Sequence, residues 1–210
     1  MGGNLSTGGA SLTTTGMPVN LRALMVGLLA LMLGGCGAVV VGGAVTGAAI
    51  VHDRRTTGTV IEDQEILLRA MNLRDQDEQL QELSNISIDA YNLQVLLTGQ
   101  SENAEIVEAF SQRVAKIPRV RGVFNEVLVG PEATWGEATS DAYLTSRVKL
   151  ALFDLGIEGF DPTRVEVTSS QGSVYLMGLL TPTEADAVTE KARFVSGVKR
   201  VVKLFEYIDQ

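Results

Sequence analysis

Residues 174–185 have the sequence VYLMGLLTPTEA, and residues 95–106 have the related sequence VLLTGQSENAEI. Three identical pairs lie at a constant spacing of 79 positions: Val95 and Val174, Gly99 and Gly178, and Glu105 and Glu184. The similarity extends over about 70 residues, which is longer than the unit of a typical solenoid. The duplication therefore predicts two small tandem domains.

Both copies predict the same order of elements: helix, strand, strand, helix, strand. In the first copy the segments are 62–73, 86–88, 93–98, 103–116 and 122–129, and in the second 140–155, 165–167, 174–177, 182–195 and 201–208. The sequence therefore predicts an α+β fold of two αββαβ domains, each with two helices packed on a three-stranded mixed sheet. The predicted boundaries are 61–130 for the first domain, 131–139 for a linker and 140–210 for the second.

Gly99 and Gly178 end the second predicted strand of each copy. A glycine after a strand is common in turns, but its recurrence at matched positions indicates a structural requirement. We expect each to need either a positive φ or a close approach of neighbouring backbone.

The element order, the repeated glycine and a V-x-x-V run before the third strand together resemble the BON domain of bacterial envelope proteins. The resemblance covers roughly residues 61–209 and is strongest in the second copy, GSVYLMGLLTPTEA followed by VSGVKRV. It implies a protein of the bacterial envelope.

The N-terminal segment predicts export and lipid attachment. Residues 21–33 form an apolar run that is too short for a membrane span and is typical of a signal-peptide core. The small residues that precede Cys36 form a lipobox pattern, so residues 1–35 are predicted to be a signal peptide and Cys36 the acylated first residue. Met17 is a plausible alternative start. Cys36 is the only cysteine, which excludes an internal disulfide.

Residues 36–60 are predicted to be a Gly-rich tether that ends near the polar residues 52–55. Residues 23–51 would also be long enough to span a bilayer, but the many glycines in them disfavour a helix. A lipid anchor followed by two BON domains resembles the outer-membrane lipoproteins of the DolP type, whereas periplasmic OsmY-like proteins share the paired domains without the anchor. Ala38, in place of aspartate, implies sorting to the outer membrane, and the resemblance to the DolP type implies that the domains face the periplasm.

Charge and residue content argue against several function classes. The chain has 17 basic and 25 acidic residues, a net charge of −8, which disfavours nonspecific nucleic-acid binding. Its one histidine, His52, lies in the tether beside two arginines. The acidic runs at 62–63 and 75–78 could attract a cation weakly, but the second lacks the glycine and the distal glutamate of a calcium loop and is interpreted as a surface run. We therefore expect no catalytic residues, no metal site and no cofactor.

The helix predicted at 140–155 carries more apolar residues than a two-layer domain needs. Its predicted core stripe is Leu144, Val148, Ala151 and Leu155.

The surplus consists of Tyr143, Leu150 and Phe153, with Arg147 and Lys149 beside them. One interpretation is that these side chains pack against the first domain. The other is an interfacial patch, in which apolar side chains enter the lipid headgroup boundary and the two cations meet lipid phosphates.

The resemblance favours the membrane interpretation, because DolP-type proteins use this helix to hold anionic phospholipid. The matching positions are Tyr143, Arg147, Val148 and Phe153, with Tyr143 standing where members of the type have tryptophan. Trp135, the only tryptophan, lies in the predicted linker just before this helix. We expect it either near the headgroups or buried against one domain.

Two functional hypotheses follow. In the first, a non-enzymatic lipoprotein binds anionic phospholipid through its second domain and supports outer-membrane integrity. In the second, the domains form an adaptor for an envelope protein or murein, and the lipid is only a tether.

Overall fold

The computed structural model describes residues 53–131 and 135–209. The predicted signal peptide, Cys36, His52 and most of the tether lie outside the described residues, as does the side chain of Trp135. Within the described ranges, no helix is both long enough and apolar enough to cross a membrane.

Each copy of the repeat forms one α+β domain, as predicted. The first contains α1 (Thr57–Asp75), α2 (Glu78–Leu83), β1 (Ser84–Tyr91), β2 (Gln94–Ser101), α3 (Ala104–Val114), β3 (Gly122–Asn125) and β4 (Leu128–Val129). The second contains α4 (Trp135–Phe153), a 3-10 turn (Pro162–Arg164), β5 (Val165–Ser170), β6 (Ser173–Leu180), α5 (Pro182–Arg193) and β7 (Arg200–Tyr207). The sequence did not predict α2, the 3-10 turn or the break between β3 and β4.

The two sheets have the same mixed topology. In the first, β2 pairs antiparallel with β1 and parallel with β3, while the short β4 continues along β2 beyond β3. In the second, β6 pairs antiparallel with β5 and parallel with β7. The predicted three-stranded mixed sheet is therefore confirmed, with β4 as an addition to the first domain.

Each sheet packs one face against its two long helices. The first core contains apolar residues of α1, α3 and the inner faces of the strands, among them Ile66, Phe110, Val95 and Leu97. The second core is built in the same way, from Val148, Leu152, Val174, Leu176 and Val188 among others.

The first helix of each domain begins earlier than predicted. Thr56 caps α1, and its side chain accepts a hydrogen bond from the Thr59 amide at 3.1 Å. Helix α4 begins at Trp135, inside the segment 131–139 that the sequence indicated as linker. One glycine at position 136 disfavours a helix by only about 1 kcal/mol, which is not enough to end it.

An aspartate in the first helix of each domain holds the hairpin turn between the first two strands. In the first domain, the carboxylate of Asp63 accepts hydrogen bonds from the backbone amides of residues 92 and 93 at 2.8 and 2.7 Å. In the second, the carboxylate of Asp141 accepts hydrogen bonds from the backbone amides of residues 171 and 172 at 2.7 and 3.1 Å. The turn residues have positive φ in both domains, as tight hairpins require. Asp63 also pairs with Arg55 at 2.9 Å. Its carboxylate is therefore structural, and not part of a cation loop.

The two repeated glycines lie inside their strands, two residues before the strand ends, and not at the ends as predicted. Gly99 has a φ of +116°, and a Cβ there would lie 2.0 Å from the Asn85 carbonyl oxygen. At Gly178 a Cβ would lie 3.0 Å from the Arg164 carbonyl oxygen. Gly99 thus meets both expected conditions, and Gly178 only that of close approach.

The outer faces of the two sheets pack against each other. Leu96, between two residues of the first core, is fully buried against the second domain, together with Tyr91, Tyr175 and Met177. The described residues therefore form four layers, with helices outside and the two sheets inside.

Hydrogen bonds fix the register between the domains. The Tyr91 hydroxyl donates to the Arg164 carbonyl at 3.0 Å, and the Asn92 side-chain amide donates to the Glu206 carboxylate at 2.7 Å. The interface is thus apolar at its centre and hydrogen-bonded at its margin.

The chain enters the first domain across the surface of the second. Arg54 donates to the Leu179 carbonyl at 2.9 Å and makes a two-point ion pair with Glu184 at 2.6 and 2.9 Å. Arg55 lies 4.0 Å from the centre of the Tyr91 ring. The end of the predicted tether is therefore held by both domains.

Candidate membrane interface

The inner face of α4 is a continuous apolar seam. Leu144, Val148 and Leu152 are buried, and Ala151 and Leu155 are half-buried. Leu144, Val148 and Leu152 recur every four positions and therefore lie on one face of the helix. Leu152 is thus a core residue, although the predicted core stripe did not include it. Val148 is 0% exposed, and its assignment to the lipid-contacting residues is therefore wrong. It supports α4 from beneath.

The opposite face of α4 is uncovered. Tyr143, Leu150 and Phe153 are 64%, 68% and 68% exposed. The interpretation in which they pack against the first domain is wrong, because that domain contacts the outer face of the second sheet instead. Three large apolar side chains thus lie on a helix face that no other described element covers.

The two predicted cations lie on opposite flanks of this face, since they are separated by about 200° around the helix. Arg147 donates to the Ser196 carbonyl at 3.2 Å and lies 5.8 Å from the centre of the Tyr143 ring. Lys149 pairs with Glu166 of β5 at 2.9 Å. Arg147 therefore lies beside the aromatic ring, and the ammonium of Lys149 already has a carboxylate partner.

Phe194, at the C-terminal end of α5, is a further exposed aromatic residue that the sequence analysis did not indicate. It caps the C-terminus of α5 and is 76% exposed, with the Arg193 guanidinium 5.0 Å from its ring centre. Residues on either side of Phe194 contact α4 or the residue that follows it. Ser196 accepts a hydrogen bond from Arg147 through its carbonyl, and Lys191 pairs with Asp154 at 3.0 Å. We call Tyr143, Leu150, Phe153 and Phe194 the aromatic surface.

The internal repeat contained a signal for Phe194. The matching helix cap of the first domain is Ala115, so the second copy has gained a large exposed aromatic at this position. The first domain also exposes Ile61, Leu68 and Met71 on α1, at the same helical spacing as Tyr143, Leu150 and Phe153, but no aromatic is among them. The aromatic surface is thus a property of the second domain.

A depression of about 440 Å³ lies beside Tyr143. Its lining includes Ser196, Gly197 and the exposed Lys199, as well as Glu137 at the start of α4. Its two carboxylates, those of Glu137 and Asp141, outnumber the single ammonium of Lys199, so the depression itself does not attract an anion.

The described part of the chain offers no metal centre, because it has no group of three or more His, Cys, Asp or Glu residues that could hold an ion. The carboxylates of the acidic runs have structural partners: Asp77 caps α2 and pairs with Arg113 at 2.6 Å.

The BON domain family matches this chain twice, at residues 67–131 and 140–209. The chain is 34% identical to Outer membrane lipoprotein DolP of Haemophilus influenzae over 176 residues, which cover 83% of this chain and 90% of that protein. It is 33% identical to the 21 kDa hemolysin of Actinobacillus pleuropneumoniae over 156 residues, or 74% of this chain and 79% of that protein.

Among solved structures, CdsD, a structural protein of the type III secretion system of Chlamydia trachomatis, has 14% sequence identity and a TM-score of 0.29, and covers 71% of this chain and 92% of that one. A likeness this weak supports no conclusion. The family matches and the relatives, in contrast, cover most of the chain. This chain therefore belongs to the BON-domain family, as a protein of the DolP type with two tandem BON domains.

Proposed function

We propose that this protein is a non-enzymatic outer-membrane lipoprotein on the periplasmic face, anchored through Cys36. Its second domain binds anionic phospholipid through the aromatic surface and so supports outer-membrane integrity. The observation that carries the proposal is an uncovered apolar helix face with cations beside it, on a domain whose own core is complete without it.

The apolar side chains supply the driving force. Full burial of a Leu or Phe side chain contributes about 1.5–3 kcal/mol. The four members of the aromatic surface are each about two-thirds exposed or more, so their entry into the headgroup boundary contributes roughly several kcal/mol in total. Aromatic rings suit this boundary because they tolerate contact with both lipid and water.

The cations supply the preference for anionic lipid. Arg147 lies beside the Tyr143 ring. Arg193 lies beside the Phe194 ring and also pairs with Glu190 at 2.7 Å. Each basic residue close to an anionic membrane contributes about 1 kcal/mol, and salt screens this contribution. The whole chain has a net charge of −8, so an anionic bilayer repels the molecule as a whole and attracts it only where basic residues are exposed. Binding is therefore expected to be oriented.

The geometry of the tether is compatible with this orientation. A chain from Cys36 to Asp53 can span at most about 60 Å when fully extended. Its far end is held on the second domain by Arg54, which contacts Leu179 and Glu184. A lipid on Cys36 therefore keeps the second domain within reach of the bilayer at all times.

Vesicle flotation of the unlipidated mature chain, residues 37–210, tests the proposal. We expect co-flotation with phosphatidylglycerol vesicles at low salt, weaker co-flotation as salt increases, and little with phosphatidylcholine vesicles. Absence of binding to anionic vesicles at low salt would contradict phospholipid binding and favour the adaptor hypothesis, in which a protein or murein is bound and the lipid is only a tether.

A further inference from the structure

A second cavity of the described residues, a polar groove of about 420 Å³, lies between the two domains. Outward-facing residues of β1 and β2 form one wall, and β5 with the Lys149 flank of α4 forms the other. This is the flank of α4 opposite to Arg147. The volume lies within the usual range for small-molecule sites, roughly 300–1,000 Å³.

The charges of the groove are unbalanced. Three carboxylates line it, those of Asp89, Asp141 and Glu166, against the single ammonium of Lys149. Lys149 pairs with Glu166 at 2.9 Å, and Asp141 accepts two backbone amides of the hairpin turn. Asp89 forms no ion pair with any described residue, so the groove repels anions and has one carboxylate available for a cation.

Asp89 is half-buried and lies at the junction of the domains. Its Oδ2 accepts a hydrogen bond from the Thr168 hydroxyl of the second domain at 3.0 Å. Burial, with a smaller contribution from the charge of Glu166, raises the pKa of Asp89, although Thr168 and Lys149 act in the opposite direction. A carboxylate has about four acceptor positions, so most of those on Asp89 remain for a donor placed in the groove.

The rest of the lining is rich in neutral hydrogen-bonding groups. Thr98 and Gln100 are 1% and 2% exposed, although both are polar. The buried hydroxyl of Ser169 has no hydrogen-bond partner among the described residues. Ser169 lies opposite the core residue Val174, so this hydroxyl is on the helix-facing side of β5, whereas Thr168, which meets Asp89, is on the other side. Hydroxyl and amide groups at this density match a polyhydroxylated molecule.

We propose that this groove binds an amino sugar with a free ammonium group. The ammonium donates to the Asp89 carboxylate, and the sugar hydroxyls bond to Thr98 and Gln100, which lie on the same face of the first sheet. The site is independent of the aromatic surface, because it lies on the other flank of α4 and uses both domains.

An NMR titration of the full mature lipoprotein in detergent micelles with glucosamine at neutral pH tests the proposal. We expect saturable shifts of the backbone amides of Thr98, Thr168 and Ser169. N-acetylglucosamine, which keeps the ring but lacks the ammonium, should bind at least about tenfold more weakly, as should ethanolamine, which lacks the ring hydroxyls.

Asp89→Asn should weaken glucosamine binding by about tenfold or more, whereas Glu65→Gln, the same charge change on the outer surface of α1, should leave it unchanged. The ligand comparison needs no variant, so it holds even if Asp89→Asn loosens the domain interface. Equal binding of glucosamine and N-acetylglucosamine, ethanolamine binding as tight as that of glucosamine, or the absence of saturable shifts at the groove would overturn the proposal.

Discussion

Gly99 and Gly178 occupy matching positions in the two sheets, yet the backbone constrains them differently. Gly99 combines a positive φ with a close carbonyl oxygen, whereas Gly178 has only the close carbonyl. Their identity in the two copies was visible in the sequence. The difference between them was not, because it depends on φ and on the path of β1 and of the turn before β5. The sequence therefore predicts which glycines the fold requires, but not how strongly the backbone constrains each of them.

Gly99→Ala should therefore destabilise more than Gly178→Ala. We expect a loss of about 3 kcal/mol or more in the free energy of unfolding for Gly99→Ala, and about 1–2 kcal/mol for Gly178→Ala. Gly130→Ala is the matched control, since no atom lies within 4 Å of a Cβ there, and it should change stability by less than about 0.5 kcal/mol. Urea unfolding measures all three. Equal effects of the two strand substitutions would contradict the backbone argument.

The ion pair between Arg54 and Glu184 links the end of the tether to the second domain. Burial by itself raises the pKa of Glu184, but hydrogen bonds from Arg54 and Thr181, with the Arg54 charge, outweigh it and hold the pKa below its ordinary value. A proton therefore binds more weakly to folded than to unfolded chains. The resulting stabilisation is complete above the unfolded pKa of about 4.3 and is lost as the pH falls through the folded value.

Arg54→Gln should lower the free energy of unfolding by about 2 kcal/mol at neutral pH, because Arg164 remains 3.7 Å from Glu184 and limits the loss. The variant should also lose less stability than the wild type when the pH is lowered below about 4.3. Arg69→Gln, which breaks an exposed pair with Glu65, is the control and should cost less than about 0.5 kcal/mol. Parallel pH profiles of wild type and Arg54→Gln would contradict this account.

At the scale of the element, α4 illustrates what helical periodicity can and cannot predict. The exposed arc of Tyr143, Leu150 and Phe153 followed from 100° per residue alone. The core stripe was less well predicted, since Leu152 replaces Ala151 as its third buried member. Phe194 was missed because it belongs to another helix, and only packing of α5 on α4 places it nearby. Periodicity describes one helix at a time, whereas a surface is shared by several.

The start of α4 provides a fluorescent reporter. Position 135 lies five helical turns before Phe153, on the same line along the helix. If the aromatic surface enters the headgroup region, the emission of Trp135 should shift to the blue when anionic vesicles are added, because its surroundings become less polar. Tyr143→Ala combined with Phe153→Ala should abolish the shift. Emission that is already blue in buffer and unchanged by lipid would show that Trp135 is buried in the protein.

At the scale of the whole molecule, the internal repeat predicted both domains and their mixed sheets. The packing of one sheet on the other was not predicted, although a signal existed. In β6, residues 174–177 are all apolar and all buried, which is typical of a strand covered on both faces. The polar groove between the domains was beyond prediction, because β1, β2, β5 and α4 line it and only the domain packing brings them together.

The proposed function requires a lipid on Cys36. Cys36→Ser removes the thiol that accepts the acyl groups, so we expect uncleaved precursor in the inner membrane and none in the outer membrane. Membrane fractionation with size analysis on gels measures both. A mature-sized product in the outer membrane would contradict the proposed lipid anchor.

The most direct test of the central claim is a comparison of Leu150→Glu with Leu68→Glu in vesicle flotation. Leu150 is 68% exposed in the aromatic surface and Leu68 is 61% exposed on α1, so the two substitutions add the same charge at similarly exposed leucines. We predict that Leu150→Glu weakens binding of the unlipidated chain to phosphatidylglycerol vesicles by at least about tenfold, because a Leu side chain contributes about 1.5–3 kcal/mol on burial. Leu68→Glu should bind like the wild type. Equal losses for the two variants, or wild-type binding by Leu150→Glu, would contradict membrane docking through α4.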